Sequence, residues 1–246
     1  MRLQRFLSDV GFCSRREAEE LIAAGKIRID GKKAILGDKV KGQESIVVDG
    51  KPLPASSPSV KKVIAFHKPL GVECTMQKSP WLKTLMDFDF GPDRVFPVGS
   101  LEKDAHGLLL LTNDGKLGNI LAMPDTAREE EYIVMVKEPL VPEKLAQLKE
   151  GITLKNKEFT LHKVTMEKEN VFQCVLRGGK PKYIRKICSA FDLEVVDLQR
   201  TRIGSIRLGE ILPGQWSSLN EKDLQSLKES NAPKTREPQR RIIKKR

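Results

Sequence analysis

Apolar residues recur at Leu3, Phe6, Leu7 and Val10, the spacing of one helix face, and Gly11 ends the run. A second helix is marked more strongly: Ser14-Arg15-Arg16-Glu17 has the form of a capping box, Ala18, Leu21 and Ile22 make its buried stripe, and Gly25 stops it. Lys26 to Asp30 then alternates basic and apolar positions, and Asp30-Gly31 turns the chain into Lys32-Lys33-Ala34-Ile35. A further strand at Ser45 to Val48 and a second turn at Asp49-Gly50 complete a helix, helix, hairpin unit over residues 1–51. Pro52 to Ser59 contains three prolines and three serines, a composition that suits neither a helix nor a central strand, so 52–61 reads as a linker.

Beyond it the pattern changes. Short β-branched runs at Val63 to Phe66, Val95 to Val98, Tyr132 to Val136, Phe159 to Met166, Val171 to Arg177 and Glu194 to Ile203 predict strands, with helices near Pro142 to Lys149 and Lys182 to Phe191. Strands with few intervening helices predict an α+β domain over 62–230, built on a mixed, mainly antiparallel sheet flanked by helices. Residues 231–246 are basic, carry two prolines and are poor in apolar residues, which predicts a flexible tail.

At 246 residues and 39% hydrophobic content the chain is long enough for one or two domains with real cores. No stretch approaches the ~18 apolar residues of a membrane span, and the N-terminus lacks a hydrophobic signal core, so the expected address is the cytoplasm, away from membranes. Four scattered cysteines form no C-x-x-C pair, and the three histidines, His67, His106 and His162, have no ligand-like spacing, so no metal site is expected. Trp216 and Phe96 read as core, and Trp81, between Pro80 and Leu82, as a local packing residue.

The net charge of +11 favours an anionic partner. Seven basic residues against one acidic residue in 232–246 place +6 of it in the tail, while residues 1–50 carry only +2. Even so, Arg2, Arg5, Arg15, Arg16, Lys26, Arg28, Lys32 and Lys33 sit at helix starts and on the hairpin, where they suit phosphate contacts.

Leu3-Gln4-Arg5-Phe6-Leu7, Cys13-Ser14-Arg15-Arg16-Glu17-Ala18 and Gly25-Lys26-Ile27-Arg28-Ile29-Asp30-Gly31 together resemble the RNA-binding domain named after ribosomal small-subunit protein S-four. In the large domain, Val98-Gly99-Ser100-Leu101-Glu102-Lys103-Asp104-Ala105-His106-Gly107 followed by Leu108 to Gly115 places two carboxylates on a loop between glycines, beside a buried strand. A rigidly held acid there suits nucleophilic or general-base work. This run resembles V-G-R-L-D-x-D-(T/S)-x-G-L-L-L-L-T-N-D-G, the signature of the bacterial ribosomal RNA pseudouridine synthases that carry the S-four domain. His67-Lys68-Pro69-Leu70-Gly71, Glu131-Tyr132-Ile133-Val134, Lys180-Pro181-Lys182-Tyr183-Ile184-Arg185-Lys186-Ile187 and Arg200-Thr201-Arg202-Ile203 resemble further family stretches in order, with Pro181, Lys182 and Tyr183 standing for Asn, Arg and Gln in the third.

The resemblance implies isomerisation of uridine to pseudouridine in ribosomal RNA by a monomer, without a cofactor. It assigns the essential acid to position 102, the base-stacking aromatic to Tyr132 and the arginine that orients the acid to Arg185. Lys68 and Lys182, cations of two matching stretches, join the expected RNA contacts. The pattern also departs from the family: Glu102 stands for the usual Asp, Ser100 for an Arg, Ala105 for Thr or Ser, and Glu130 for a Lys before the tyrosine strand. The alternative these departures imply is a catalytically silent RNA-binding protein of the same fold.

Overall fold

A computed structural model describes residues 1–53, 61–122, 128–154, 157–177 and 181–230. The small domain contains α1 (Leu3–Asp9), α2 (Arg15–Ala23), β1 (Ile27–Ile29), β2 (Lys32–Lys33), β3 (Ile46–Val48) and β4 (Lys51–Pro52). The capping box forms as the sequence predicts: the Glu17 amide donates to Ser14 Oγ at 3.2 Å, and the Ser14 amide to the Glu17 carboxylate at 2.6 Å. Asp30 and Gly31 both take positive φ, the geometry that joins β1 to β2 by a two-residue turn. Leu3, Leu7, Ala18, Ile22 and Ile27 fill the core between helices and sheet.

The domain runs slightly further than the sequence suggests. Pro52 pairs with Val47 in β4, and Leu53 packs against the same core, so these two residues belong to the sheet edge rather than to a linker. Proline is tolerated there because an edge strand needs no second donor. Residues 54–60 of the linker and the tail from 231 lie outside the described residues.

The large domain comprises β5 (Val63–Lys68), a 3-10 turn (Leu85–Asp87), β6 (Phe96–Val98), β7 (His106–Thr112), α3 (Gly115–Ala122), β8 (Glu129–Val136), α4 (Pro142–Glu150), β9 (Ile152–Leu154), β10 (Lys157–Phe159), β11 (His162–Lys168), β12 (Val171–Arg177), α5 (Lys182–Ala190), β13 (Val195–Ile203), β14 (Ile206–Arg207), β15 (Trp216–Ser218) and α6 (Glu221–Ser230). The central sheet runs β11-β12-β8-β13-β7-β5-β15, with β6 on β7 and β14 on β13. Its pairs are antiparallel except β13 with β7, which run parallel at Gln199 and Arg200 against His106 and Gly107. This parallel contact joins the two halves of the sheet. Gly107 is required there, because a Cβ would lie 2.3 Å from the Arg200 carbonyl oxygen.

Three local expectations change. Asp114-Gly115, where the apolar pattern predicts no helix, opens α3: Asp114 Oδ1 accepts from the Lys116 amide at 2.9 Å. The run from Phe159 to Met166 is two strands, since Phe159 leaves the sheet to stack on Tyr183 at 4.1 Å and β11 begins at His162. Helix α6 was not apparent from the apolar pattern; Leu224 and Leu227 seat it against the core beneath β5 and β7. Among the described residues no helix is long and apolar enough to cross a membrane.

Candidate active site and RNA-facing surface

The loop between β6 and β7 lies where the two half-sheets meet. Leu101 and Ala105 are both fully buried, in one cluster with Tyr132 and Ile184, so each side of Glu102 is pinned to the core. Glu102 is half-buried and Asp104 exposed on the rim between these anchors, and the Ala105 amide closes the turn onto the Glu102 carbonyl at 3.1 Å. The Gly71 amide donates to the Lys103 carbonyl at 2.8 Å, tying the chain after β5 to the same loop.

Strand β8 contributes its inward face, positions 130, 132, 134 and 136. Tyr132 is completely buried and its hydroxyl donates to Glu130 at 2.6 Å. Arg200, on the neighbouring β13 and 3% exposed, donates to Glu130 at 3.1 Å, to the Leu108 carbonyl at 2.7 Å and to the Ser100 carbonyl at 3.3 Å. Arg128 approaches the other Glu130 oxygen at 3.2 Å. Burial alone would push the Glu130 carboxyl up, but Arg200, then Arg128 and the Tyr132 hydroxyl, hold it below the ordinary value. Burial first, and Glu130 next, raise the Tyr132 hydroxyl well above its usual range, so it is a neutral donor. A negative Glu130 is thus matched from two sides, in a place where the family pattern has a cation.

The opposite face of the same strands carries a second, more exposed ladder. Glu129 meets Arg177 at 2.6 Å and Arg202 at 3.3 Å, while Glu131 meets Arg202 at 3.3 Å. Period-two alternation therefore sends one glutamate inward and its two neighbours outward.

Arg185, half-buried on α5, reaches the motif loop at Asp104: Nε lies 3.2 Å from Oδ2 and Nη2 donates to the Asp104 carbonyl at 2.7 Å. Its remaining nitrogen donates to the Val195 carbonyl at 3.0 Å, so the arginine staples loop, helix and β13 together. Tyr132 packs in the same core cluster as Leu101 and Ala105, its ring wholly enclosed, so in this conformation it offers no open face for the base stacking that the resemblance implies. The structure thus brings Glu102, Tyr132 and Arg185 into one neighbourhood.

The expected RNA contacts divide. Arg2, Arg15, Arg16, Lys26, Arg28, Lys32 and Lys33 are exposed on the small domain, with Arg5 half-buried against Asp9. Lys182 is exposed at the start of α5. Lys68 does not face solvent: it is fully buried, its ammonium donating to the Pro69 and Val72 carbonyls at 3.0 and 2.8 Å, and burial pulls its pKa down to about 8. In this conformation it braces the turn after β5 rather than meeting phosphate. Trp81, expected to pack locally, is 89% exposed.

Sequence reasoning treated Arg200 only as part of a closing motif and did not foresee its charge network. The available signal was the inward register of Glu130 with Tyr132, which demands a buried cation nearby. Two histidines without ligand-like spacing form a chain, His67 Nε2 lying 3.5 Å from His106 Nδ1 and His106 Nε2 3.1 Å from Asp197. The two domains meet through Arg94, which pairs with Glu17 at 2.9 Å beside a cavity of about 360 Å³ lined from both sides, including Asp9, Arg15, Met76 and Asn119.

Comparison with known proteins agrees with this geometry. The family model for RNA pseudouridylate synthase matches residues 62–190, and that of the S4 domain residues 1–46. The dual-specificity RNA pseudouridine synthase RluF of Escherichia coli (strain K12) is 34% identical, over 91% of this chain and 77% of its own. Ribosomal large subunit pseudouridine synthase B of Bacillus subtilis (strain 168) is 31% identical over 92% of this chain and 95% of its own. A crystal structure of a pseudouridylate synthase superposes with a TM-score of 0.66 at 22% identity, covering 92% of this chain and 99% of that one, which shows the shared fold. With its motif loop pinned to the core cluster of Tyr132 at the junction of two half-sheets and an S4 domain in front, the chain belongs to the RNA pseudouridylate synthase family.

Proposed function

We propose that this protein isomerises uridine to pseudouridine in ribosomal RNA, with Glu102 as the acidic catalytic residue, Tyr132 as the buried aromatic packed with the loop's anchors and Arg185 as a positioning residue for the loop. It works as a monomer in the cytoplasm, without a cofactor, and the exposed cations of the small domain grip the RNA. The observation that supports this reading is the seat of Glu102 on a loop whose two buried anchors, Leu101 and Ala105, share a core cluster with Tyr132. The reaction breaks the bond from ribose to the base nitrogen, turns the base and rejoins it through carbon, so no atom is gained or lost. A carboxylate fixed on a short loop meets the need for a group acting at the ribose.

Glutamate is one methylene longer than the aspartate of the family pattern. Displacements near 1 Å cost on the order of 10²-fold in rate, which slows turnover without removing the charge. Mapping pseudouridine in ribosomal RNA from cells with the intact gene, with Glu102→Gln and without the gene tests this directly. The expected result is one or more sites present only with the intact gene; a map unchanged by deletion refutes the proposal.

A second reading is that the chain holds RNA without turnover. It is favoured by the buried negative charge of Glu130 at a position where the family pattern has lysine. Glu102→Asp separates the two: activity appearing only in that variant supports silence of the parent, whereas a parent that turns over and is abolished by Glu102→Gln supports catalysis.

A further inference from the structure

The loop from Val72 to Leu85 presents a side chain that neither the core nor the motif loop uses. Trp81 stands 89% exposed, flanked by the exposed Lys78 and Lys83, with Leu82 and Met86 also partly in solvent. The backbone beneath it is braced. The Glu73 amide donates to the Lys83 carbonyl at 2.8 Å and the Leu85 amide to the Thr75 carbonyl at 3.1 Å, closing the loop at its base. At the tip, Ser79 Oγ accepts from the amides of Trp81 and Leu82 at 3.3 and 3.2 Å.

Just after the loop, Thr84 and Asp87 cap the 3-10 turn reciprocally, and Phe88 packs edge-on to the buried Phe66 at 5.1 Å. An indole presented by an ordered backbone loses the stabilisation that burial offers, and large aromatics on a rigid support are typical anchors of binding surfaces. The root of the loop is joined to the motif loop through the Gly71 to Lys103 hydrogen bond.

We propose that Trp81 is a stacking platform for an unpaired base of the bound RNA, with Lys78 and Lys83 taking the flanking phosphates. The proposal rests on the RNA-binding part of the preceding reading and holds whether or not Glu102 turns over. An exposed π-face on a loop that also carries two exposed lysines, Lys83 with its ammonium 5.6 Å from the Phe88 ring, matches the chemistry of a nucleotide, base on ring and phosphate on ammonium, and the chain's overall charge of +11 favours that partner. Such a contact selects unpaired over paired RNA, because a base inside a duplex is already stacked.

The test uses the full chain and two ribosomal RNA fragments of equal length, one with an unpaired loop and one fully paired. Affinity and tryptophan fluorescence are measured for the parent, Trp81→Ala and Trp81→Phe; Trp216, the other tryptophan, supplies a background read from Trp81→Phe. The looped RNA is expected to quench the parent's fluorescence, and Trp81→Ala to weaken binding to it by on the order of ten-fold or more while leaving the duplex affinity unchanged. Trp81→Phe should retain part of the affinity. A parent that binds looped RNA without quenching, or an alanine variant that binds it as well as the parent, overturns the stacking assignment and leaves the RNA-binding reading standing. Equal losses on looped and paired RNA overturn it as well. A parent that binds neither RNA overturns both.

Discussion

Replacing Arg200 with methionine tests the buried charge network most severely. The substitution keeps much of the side-chain volume but removes the donors to Glu130, to the Leu108 carbonyl and to the Ser100 carbonyl. Glu130, 8% exposed, then keeps Arg128 and the Tyr132 hydroxyl as partners. Removing one partner of a buried ion pair costs about 3–5 kcal/mol, mainly because the other charge stays buried. The two surviving partners place this case near the lower end, at about 3 kcal/mol. For a chain of this size each kcal/mol moves the melting midpoint by roughly 2–4 °C, so a fall of about 6–12 °C is expected. Urea titration followed by near-ultraviolet circular dichroism, together with a thermal melt, reads the change.

The decisive comparison is the double variant Arg200→Met with Glu130→Leu. With both charges gone Arg200 and Glu130 no longer strand each other, and Arg128 keeps its hydrogen bond to the Leu121 carbonyl, so the double variant should be more stable than the sum of the two single losses, by an amount measurable in a double-mutant cycle. A loss below about 1 kcal/mol for Arg200→Met, or strict additivity in the cycle, would refute the account of Glu130 as a buried anion balanced by Arg200.

Further outcomes follow from the other charges. Glu129 sits near a pKa of about 2, chiefly through the Arg177 hydrogen bond, and Glu17 near about 2 through the Ser14 amide and Arg94, against ordinary values of 4.5. Both carboxylates are lowered in the folded chain, so their stabilisation is present above about pH 4.5 and is lost as pH falls toward 2; Glu129→Gln should flatten that decline in urea midpoints. Lys68 behaves oppositely, its folded value of about 8 lying below the ordinary 10.5, so the unfolded chain binds more protons between these limits and stability rises with pH across them. In Lys68→Met that alkaline rise should vanish. Deleting residues 232–246, which hold +6 of the net charge, should reduce the salt dependence of RNA binding, and an unchanged slope of log affinity against log salt would exclude the tail from the contact.

Much of the small domain was legible because its instructions are local. A serine three residues before a glutamate caps a helix wherever that helix lies, and Asp30-Gly31 turns a hairpin because both residues accept positive φ. The motif loop was readable for the same reason, whereas the inward register of Glu130 with Tyr132 was not, because the predicted strand began at Tyr132 and β8 begins at Glu129. Helix α3 was missed because Asp-Gly starts a turn and Asp also caps a helix, a choice that the flanking residues alone leave open.

What the chain alone determined, then, is which elements form and which residues share a face. Tertiary structure decided what those faces meet. Arg200 and Glu130 are 70 residues apart and Arg185 and Asp104 81 apart; the first pairing exists because β13 lies between β8 and β7, the second because α5 packs between the motif loop and β13. The burial of Lys68 and the exposure of Trp81 were likewise settled by packing, which closed the turn after β5 over an ammonium and left an indole outside a braced loop. Local sterics and hydrogen bonds act over a few residues, whereas burial and charge pairing depend on surfaces brought together from distant parts of the chain, and that is where the chemistry of this site is set.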